Sequence, residues 1–331
     1  MGFKIVVANQ IHESVKQLLA GAGALVMNDF KVPWDATALS AHCVDANALM
    51  AFMTESIDAE FLDRCPELQI IAGALKGYNN IDVAACTERG VLVTNVPDLL
   101  TEPTAELTLG LMIGVARNLI PADRLARSDG FRGWRPNFYG GSLDGSTVGV
   151  VGAGAVGQAV LRRLIGFRCR CLYVDKRPLP PSAELELQAE RSSLEAIQTQ
   201  ADFIVLALHL MPETYHLVNG AFLSRMKPSA YLVNPARGSL VDEAAVASAL
   251  SDGRLAGYAA DTFEMEDWAL EGRPREIHPA LRSSDRAILT PHIGSAVATV
   301  REAIERSAAE SILAVRNGTV PDAAINPEAR R

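Results

Sequence analysis

The feature that most constrains the fold is an alternation of short, almost wholly apolar runs with stretches of helical periodicity. "FKIVVA", "NALMAFM", "LQIIAG" and "VLVTN" come first, followed by "STVGVVG", "RCLYVD", "DFIVLAL", "AYLVN", "LAGYAAD" and "AILTPH". A half-buried strand alternates apolar and polar residues, whereas a continuous apolar run marks a strand covered on both faces of a parallel sheet. The intervening helices supply that cover and the right-handed crossovers that parallel pairing requires. The expected class is therefore α/β, with doubly wound parallel sheets.

Two long helical patterns divide the chain. "TEPTAELTLGLMIGVARNLI", Thr101 to Ile120, is apolar nearly all round, which predicts burial between domains or subunits. "SAVATVREAIERSAAESILAVRNG", Ser295 to Gly318, is amphipathic and ends on a glycine stop. If both cross between lobes, residues 1–100 plus 293–331 form a discontinuous substrate domain, and residues 101–292 form a nucleotide-binding domain, with a cleft between them. "RPLPPSAE" reads as a loop and "NPEARR" as a frayed tail.

With 331 residues, 49% hydrophobic and 21% charged, the chain is long enough for two soluble domains. Its net charge of -8 repels nucleic acid and anionic membrane, so neither is an expected partner, and any anion site needs local positive charge. The five cysteines are odd in number and lie in apolar stretches. Cys169 and Cys171 face one side of a strand, but two ligands make no zinc site, so no metal is expected. Reduced thiols, the absence of a signal-like N-terminus and the lack of any apolar run near the roughly 20 residues of a membrane span point to the cytoplasm.

"STVGVVGAGAVGQAVLRRL" is the strongest local motif. Gly152, Gly154 and Gly157 form G-x-G-x-x-G between a strand and a helix. The first permits a tight turn, the second lets backbone approach a pyrophosphate, and the third packs helix on strand. Ala155 and Val156 open that helix, whose bare N–H groups face the phosphate. Asp175 ends the next strand, 18 residues beyond Gly157, where a carboxylate accepts from an adenosine ribose and repels a 2′-phosphate. Together these predict a Rossmann-like NAD-binding domain. Lys176 and Arg177 leave NADP as the weaker alternative.

Three segments then follow, each at the C-terminal end of an expected strand: "NPARGSLVDEAAV", "GYAADTFEMEDWA" and "ILTPHIGSAV". Each offers one reactive side chain, namely Arg237, Glu266 and His292. A guanidinium can grip an anionic substrate, a carboxylate can orient an imidazole, and the imidazole can move the proton that accompanies hydride transfer. Lys76 in "GALKGYNNID" is a further oddity, because it places an ammonium where a buried strand ends.

With these motifs in place, the sequence resembles the D-isomer-specific 2-hydroxyacid dehydrogenase family along essentially its whole length. "GAGAVG", "RGSLVDE", "DTFEMED" and "TPHIGS" are similar to that family's signatures. The resemblance implies Arg237 as substrate anchor, Glu266 as partner of His292, and His292 as acid/base. It implies cofactor contacts from Thr104, from Asp261, from the backbone around Ala207, Pro235, Ala236 and Gly294, and from the adjoining Ser295. His209, after a nucleotide-domain strand, is a further cofactor contact, and the resemblance implies a homodimer. Two departures stand out: Asp267 follows Glu266 where the family usually has Pro, and Lys76 sits where a small or apolar residue is usual.

Both departures, with "MAFM", "GWRPNFYG" and "VREAIER", resemble the phosphite (phosphonate) dehydrogenase branch of that family. That resemblance implies Lys76 and Arg237 around phosphite, Lys76 also beside the cofactor, Met53 and Arg301 near the pocket, and Trp134 and Tyr139 as lesser candidates. A phosphite dianion in a dehydrated cleft calls for more positive charge than backbone N–H groups supply. The expected reaction is phosphite + NAD⁺ + H₂O → phosphate + NADH, with His292 as base and Arg237 or a substrate oxygen as alternatives. The competing readings are a D-2-hydroxyacid dehydrogenase or glyoxylate/hydroxypyruvate reductase, and an NAD-sensing corepressor-like protein. For Arg301 an i,i+4 surface pair with Glu305 competes with a pocket role. His12, His42, His216 and His278 are expected at the surface.

Overall fold

The computed structural model describes residues 2–29, 32–96 and 98–329. The chain divides into two compact units. One comprises Met1–Leu100, Trp268–Gly272 and Ala296–Arg331; the other comprises Thr101–Asp267 and Arg273–Ser295.

The first unit is built on a parallel sheet of β1 (Lys4–Val7), β2 (Ala24–Met27), β3 (Ala48–Ala51), β4 (Ile70–Gly73) and β5 (Leu92–Thr94), in the order β2-β1-β3-β4-β5. Ile5, Leu49, Ile70, Ile71 and Leu92 are fully or nearly fully buried. Ile304, Ala308, Ile312 and Val315 of the Ala298–Arg316 helix complete the same core. The expected frayed tail is pinned as far as Ala329. Asn326 accepts from the Val93 N–H at 2.7 Å and donates to the Val91 carbonyl at 3.0 Å, so the tail covers the edge of β5. Arg330 and Arg331 lie outside the described residues.

The second unit carries seven parallel strands: β6 (Thr147–Val151), β7 (Arg170–Val174), β8 (Ala189–Arg191), β9 (Phe203–Leu206), β10 (Tyr231–Asn234), β11 (Gly257–Ala260) and β12 (Ala287–Leu289). Their order is β12-β11-β10-β9-β6-β7-β8, so the winding reverses between β6 and β9. In open α/β sheets that switch point, at the carboxyl ends of the strands, is where ligands bind.

The all-round apolar helix spans Thr101–Ala116, not Thr101 to Ile120. Asn118 takes a left-handed φ of 53° and starts a separate helix, Leu119–Arg127. The apolar helix packs into the core of its own unit, where Leu111, Met112 and Val115 join Val150, Val160 and Val205 in one cluster. Among the described residues, no helix is long and apolar enough to cross a membrane.

Candidate active site

At the switch point Gly152 has φ 98° and no room for a side chain, because a Cβ there would sit 2.4 Å from the Ala207 carbonyl oxygen. A Cβ on Gly157 would lie 2.1 Å from the Gly152 oxygen, so the third glycine lets the Ala155–Leu164 helix press against the turn. Gly154 and Ala155 are exposed and Val156 is half-buried, leaving the helix N-terminus open. Asp175 braces the turn: Oδ2 accepts from the Ala153 N–H at 2.8 Å and Oδ1 from the Arg177 N–H at 3.0 Å. Lys176 is drawn away to Glu213 at 2.6 Å. This cradle of glycines, free N–H groups and a carboxylate fits a dinucleotide that lacks a 2′-phosphate. Ala207 follows β9, whereas His209 is exposed and offers its carbonyl to the Thr214 hydroxyl at 2.8 Å.

The catalytic candidates cluster on the loops after β10, β11 and β12. Asn234 closes the first of these, accepting from the Ala236 N–H at 3.1 Å and donating to the Arg237 carbonyl at 2.8 Å, with Pro235 buried between. The Arg237 Nη1 donates to the Ala236 carbonyl at 2.8 Å. Burial pushes the pKa of its guanidinium down, and the carboxylates of Asp267 and Glu266 pull it back up. The next loop presses directly on this one, because a Cβ on Gly238 would lie 1.8 Å from the Phe263 carbonyl carbon.

Glu266 Oε1 accepts from the Phe263 N–H at 3.0 Å, and Oε2 lies 2.6 Å from His292 Nδ1. Only 23% of the His292 side chain and 28% of the Glu266 side chain is exposed, so the pair is shielded yet reachable. A carboxylate on Nδ1 makes that nitrogen the donor and leaves Nε2 to exchange a proton with substrate. His292 adopts φ 55°, a left-handed conformation in which His is among the better tolerated residues. Asp261 holds it there. Its carboxylate, 1% exposed, accepts from the Thr290 hydroxyl at 2.6 Å and from the N–H groups of Ile293 at 2.8 Å and Gly294 at 2.7 Å. Burial raises the Asp261 pKa, and those donors oppose the rise. Thr104 lies against Gly294, within 3.2 Å of where a Cβ would be, and Ser295 is half-buried beside it.

In the first unit Lys76 follows β4 by three residues and is half-buried. Removal from water lowers the pKa of its ammonium, while Asp98 works in the opposite direction. The Lys76 carbonyl accepts from Asn95 Nδ2 at 2.9 Å, which fixes the loop. Met53 is half-buried, and the guanidinium of Arg301 sits 5.9 Å from the centroid of the Phe52 ring. The competing reading of an Arg301–Glu305 surface pair is corrected in part: the Glu305 charge acts on Arg301, but Glu305 is 4% exposed and binds both the N–H and Nδ1 of His12 at 2.8 Å. His216 is likewise no simple surface residue, since its Nε2 lies 2.8 Å from Glu264 Oε2. His42 stacks on Trp34 with ring centroids 4.2 Å apart.

Sequence reasoning missed Glu243 and Glu264, and saw Asp267 only as a departure from the family pattern; all three are buried acids that tie the catalytic loops together. Glu243 and Glu264 exchange bonds, each accepting from the other's N–H at 3.0 Å. Asp267 accepts from the Ser239 N–H at 2.8 Å. All three fall within the quoted motifs, but a cross-loop partner leaves no mark on local spacing.

Residues 109–294 match the family model described as "D-isomer specific 2-hydroxyacid dehydrogenase, NAD binding domain". The chain belongs to this family. It is 42% identical over 289 residues to a glyoxylate reductase of Thermococcus onnurineus, covering 86% of this chain and 84% of that one. Among solved structures, the TT0316 protein from Thermus thermophilus shares 34% identity at a TM-score of 0.87, over 98% of this chain and 100% of that one. An NADPH-dependent glyoxylate/hydroxypyruvate reductase from Sinorhizobium meliloti, solved with NADP and malonate, shares 28% at 0.83, over 99% and 98%. Membership in the 2-hydroxyacid dehydrogenase family makes the protein an oxidoreductase and its seven-stranded unit an NAD-binding domain. Two of these three relatives, from Thermococcus onnurineus and Sinorhizobium meliloti, are named for glyoxylate reduction, and none of the three is named for phosphite.

Proposed function

We propose that this dehydrogenase oxidises phosphite: phosphite + NAD⁺ + H₂O → phosphate + NADH + H⁺. The observation that carries this reading is Lys76, a partly dehydrated ammonium where the family resemblance leads one to expect a small or apolar residue. A dianion demands such charge, whereas backbone N–H groups suffice for a monocarboxylate. In this reading the first unit binds substrate through Lys76, with Met53 and Arg301 as further contacts, and Arg237 of the NAD-binding unit supplies the second cation. Bound NAD⁺ supplies the hydride acceptor. Water forms the new P–O bond as the P–H pair leaves, and its proton passes to His292 Nε2, with Glu266 stabilising the imidazolium that results. A homodimer belongs to the same proposal and is tested by sedimentation.

The second reading is reduction of glyoxylate or hydroxypyruvate, favoured by the names of the relatives. There His292 would donate its proton to the carbonyl oxygen as hydride arrives, and Arg237 would grip the carboxylate.

NADH formation from phosphite, D-lactate and D-glycerate, beside NADH consumption by glyoxylate, separates the two. Turnover of phosphite alone is expected; turnover of the organic acids without phosphite reverses the assignment. Lys76→Ala should raise KM for phosphite at least tenfold while leaving NAD⁺ affinity nearly intact, and equal losses of both would make the residue structural.

A further inference from the structure

We infer that Asp267 is a positioning residue for Arg237, the fixed counter-charge that aims the guanidinium at the bound anion. The inference rests on the proposed anion-oxidising site and concerns how that site is held.

Asp267 is 3% exposed and belongs to the Glu266 loop, yet its Oδ2 accepts from the N–H of Ser239, two residues after Arg237 on the neighbouring loop. The carboxylate therefore reaches across the seam where Gly238 meets Phe263 and bonds the backbone of the Arg237 loop. The charged or titratable groups that act electrostatically with it are Arg237, Glu266, Arg273 and Tyr215. Arg237 is attracted by Asp267 and Glu266, and Glu266 is already committed to His292. Asp267 exerts the larger of these two attractions on the guanidinium, and it is the one not paired with His292. The Glu243–Glu264 exchange ties the same two loops together, but neither acid is among the charges that act on Arg237. Asp267 braces the seam through Ser239 as well, but only it combines that bond with a charge acting on Arg237, so substitutions that keep the bond and remove the charge separate the two roles.

A negative charge beside an anion anchor has two opposed effects. It fixes the direction of the guanidinium, which serves the geometry of hydride transfer. It also competes with the substrate for that positive charge, which weakens binding. Pro at this position, usual in the family, could do neither.

The test is Asp267→Asn, which keeps the shape and the acceptor for Ser239 while removing the charge. In the full-length enzyme, with whichever substrate the wild type turns over, kcat should fall about tenfold while KM for the anion stays level or drops; KM for NAD⁺ should not move. Asp267→Glu restores the charge one methylene away and should retain more kcat than the Asn variant. Glu264→Gln, the bracing control, should lower Tm without lowering KM for the anion. Unchanged kcat in Asp267→Asn, a rise in KM for both substrates together, or a Glu variant worse than the Asn variant would each overturn the inference. A wild type inactive on phosphite but active on glyoxylate would instead overturn the substrate assignment and leave the Asp267 experiment intact.

Discussion

At the residue scale the decisive group is His292, whose Nδ1 is committed to Glu266 at 2.6 Å while its loop is locked by Asp261. General acid–base groups contribute about 10²–10⁴ in rate. His292→Ala should therefore cut kcat by that order at every pH, read as NADH absorbance under saturating substrate; near-normal turnover would remove it from the mechanism. Cofactor choice is argued at Asp175, whose Oδ2 accepts from the Ala153 N–H of the phosphate turn and whose Oδ1 accepts from the Arg177 N–H of its own loop. Asp175→Ala should shift the NADP/NAD ratio of kcat/KM about tenfold or more toward NADP, which is about 1.4 kcal/mol of discrimination. Glu213→Gln, releasing Lys176 for a 2′-phosphate, should add about threefold at most, since the pair is a surface one. An unmoved ratio in both variants would count against a ribose role for Asp175. Arg237, Glu266 and His292 were legible because each ends an apolar run followed by polar, glycine-containing sequence. Glu243 and Glu264 were not, and Asp267 stood out only as a departure, because the cross-loop bonds of all three appear only when two distant loops are laid side by side.

At the element scale, the strands that escaped sequence reading are informative. β2 and β8 both lie at sheet edges. Glu190 and Arg191 of β8 face solvent, so β8 lacks the continuous apolar run that marks an interior strand, whereas β2 has such a run, ALVM, but only four residues of it, partly exposed. The loop after β3 raises a testable point of its own. Glu55 there is 4% exposed, accepting from the Phe52 N–H and the Thr54 hydroxyl at 2.5 Å each. Burial pushes its pKa up, and those two bonds only partly oppose the rise. An acid whose folded pKa exceeds its unfolded value favours folding below the unfolded value, about 4.3 for Glu, and loses that contribution as pH rises through the folded value. Glu55→Gln has no such loss. Its Tm relative to wild type should therefore climb between about pH 4 and neutrality, whatever constant offset the altered hydrogen bonds impose. A difference that stays flat with pH would mean the carboxyl is not perturbed by burial.

At the scale of the whole molecule, the two units differ in how they use the chain. The seven-stranded unit is nearly continuous, interrupted only by Trp268–Gly272, whereas the five-stranded unit needs both ends of the polypeptide. Its core contains Ile304, Ala308, Ile312 and Val315 from beyond the NAD-binding unit, all between 0% and 1% exposed. Burying one such Ile or Val side chain is worth about 1.5–3 kcal/mol. Losing three of them with the Asn326 clasp removes a sum comparable to the ~5–15 kcal/mol that separates a folded domain from its unfolded chain. A chain ending at residue 295 should therefore show one cooperative unfolding transition instead of two in calorimetry. It should still bind NADH, seen as enhanced nicotinamide fluorescence, because the glycine turn, Asp175 and the Glu266–His292 pair all lie within 101–295. It should turn over no substrate. A second transition persisting in the truncated chain would mean that the five-stranded sheet is stable without its C-terminal helix, and that the long return of the chain serves something other than closing this core.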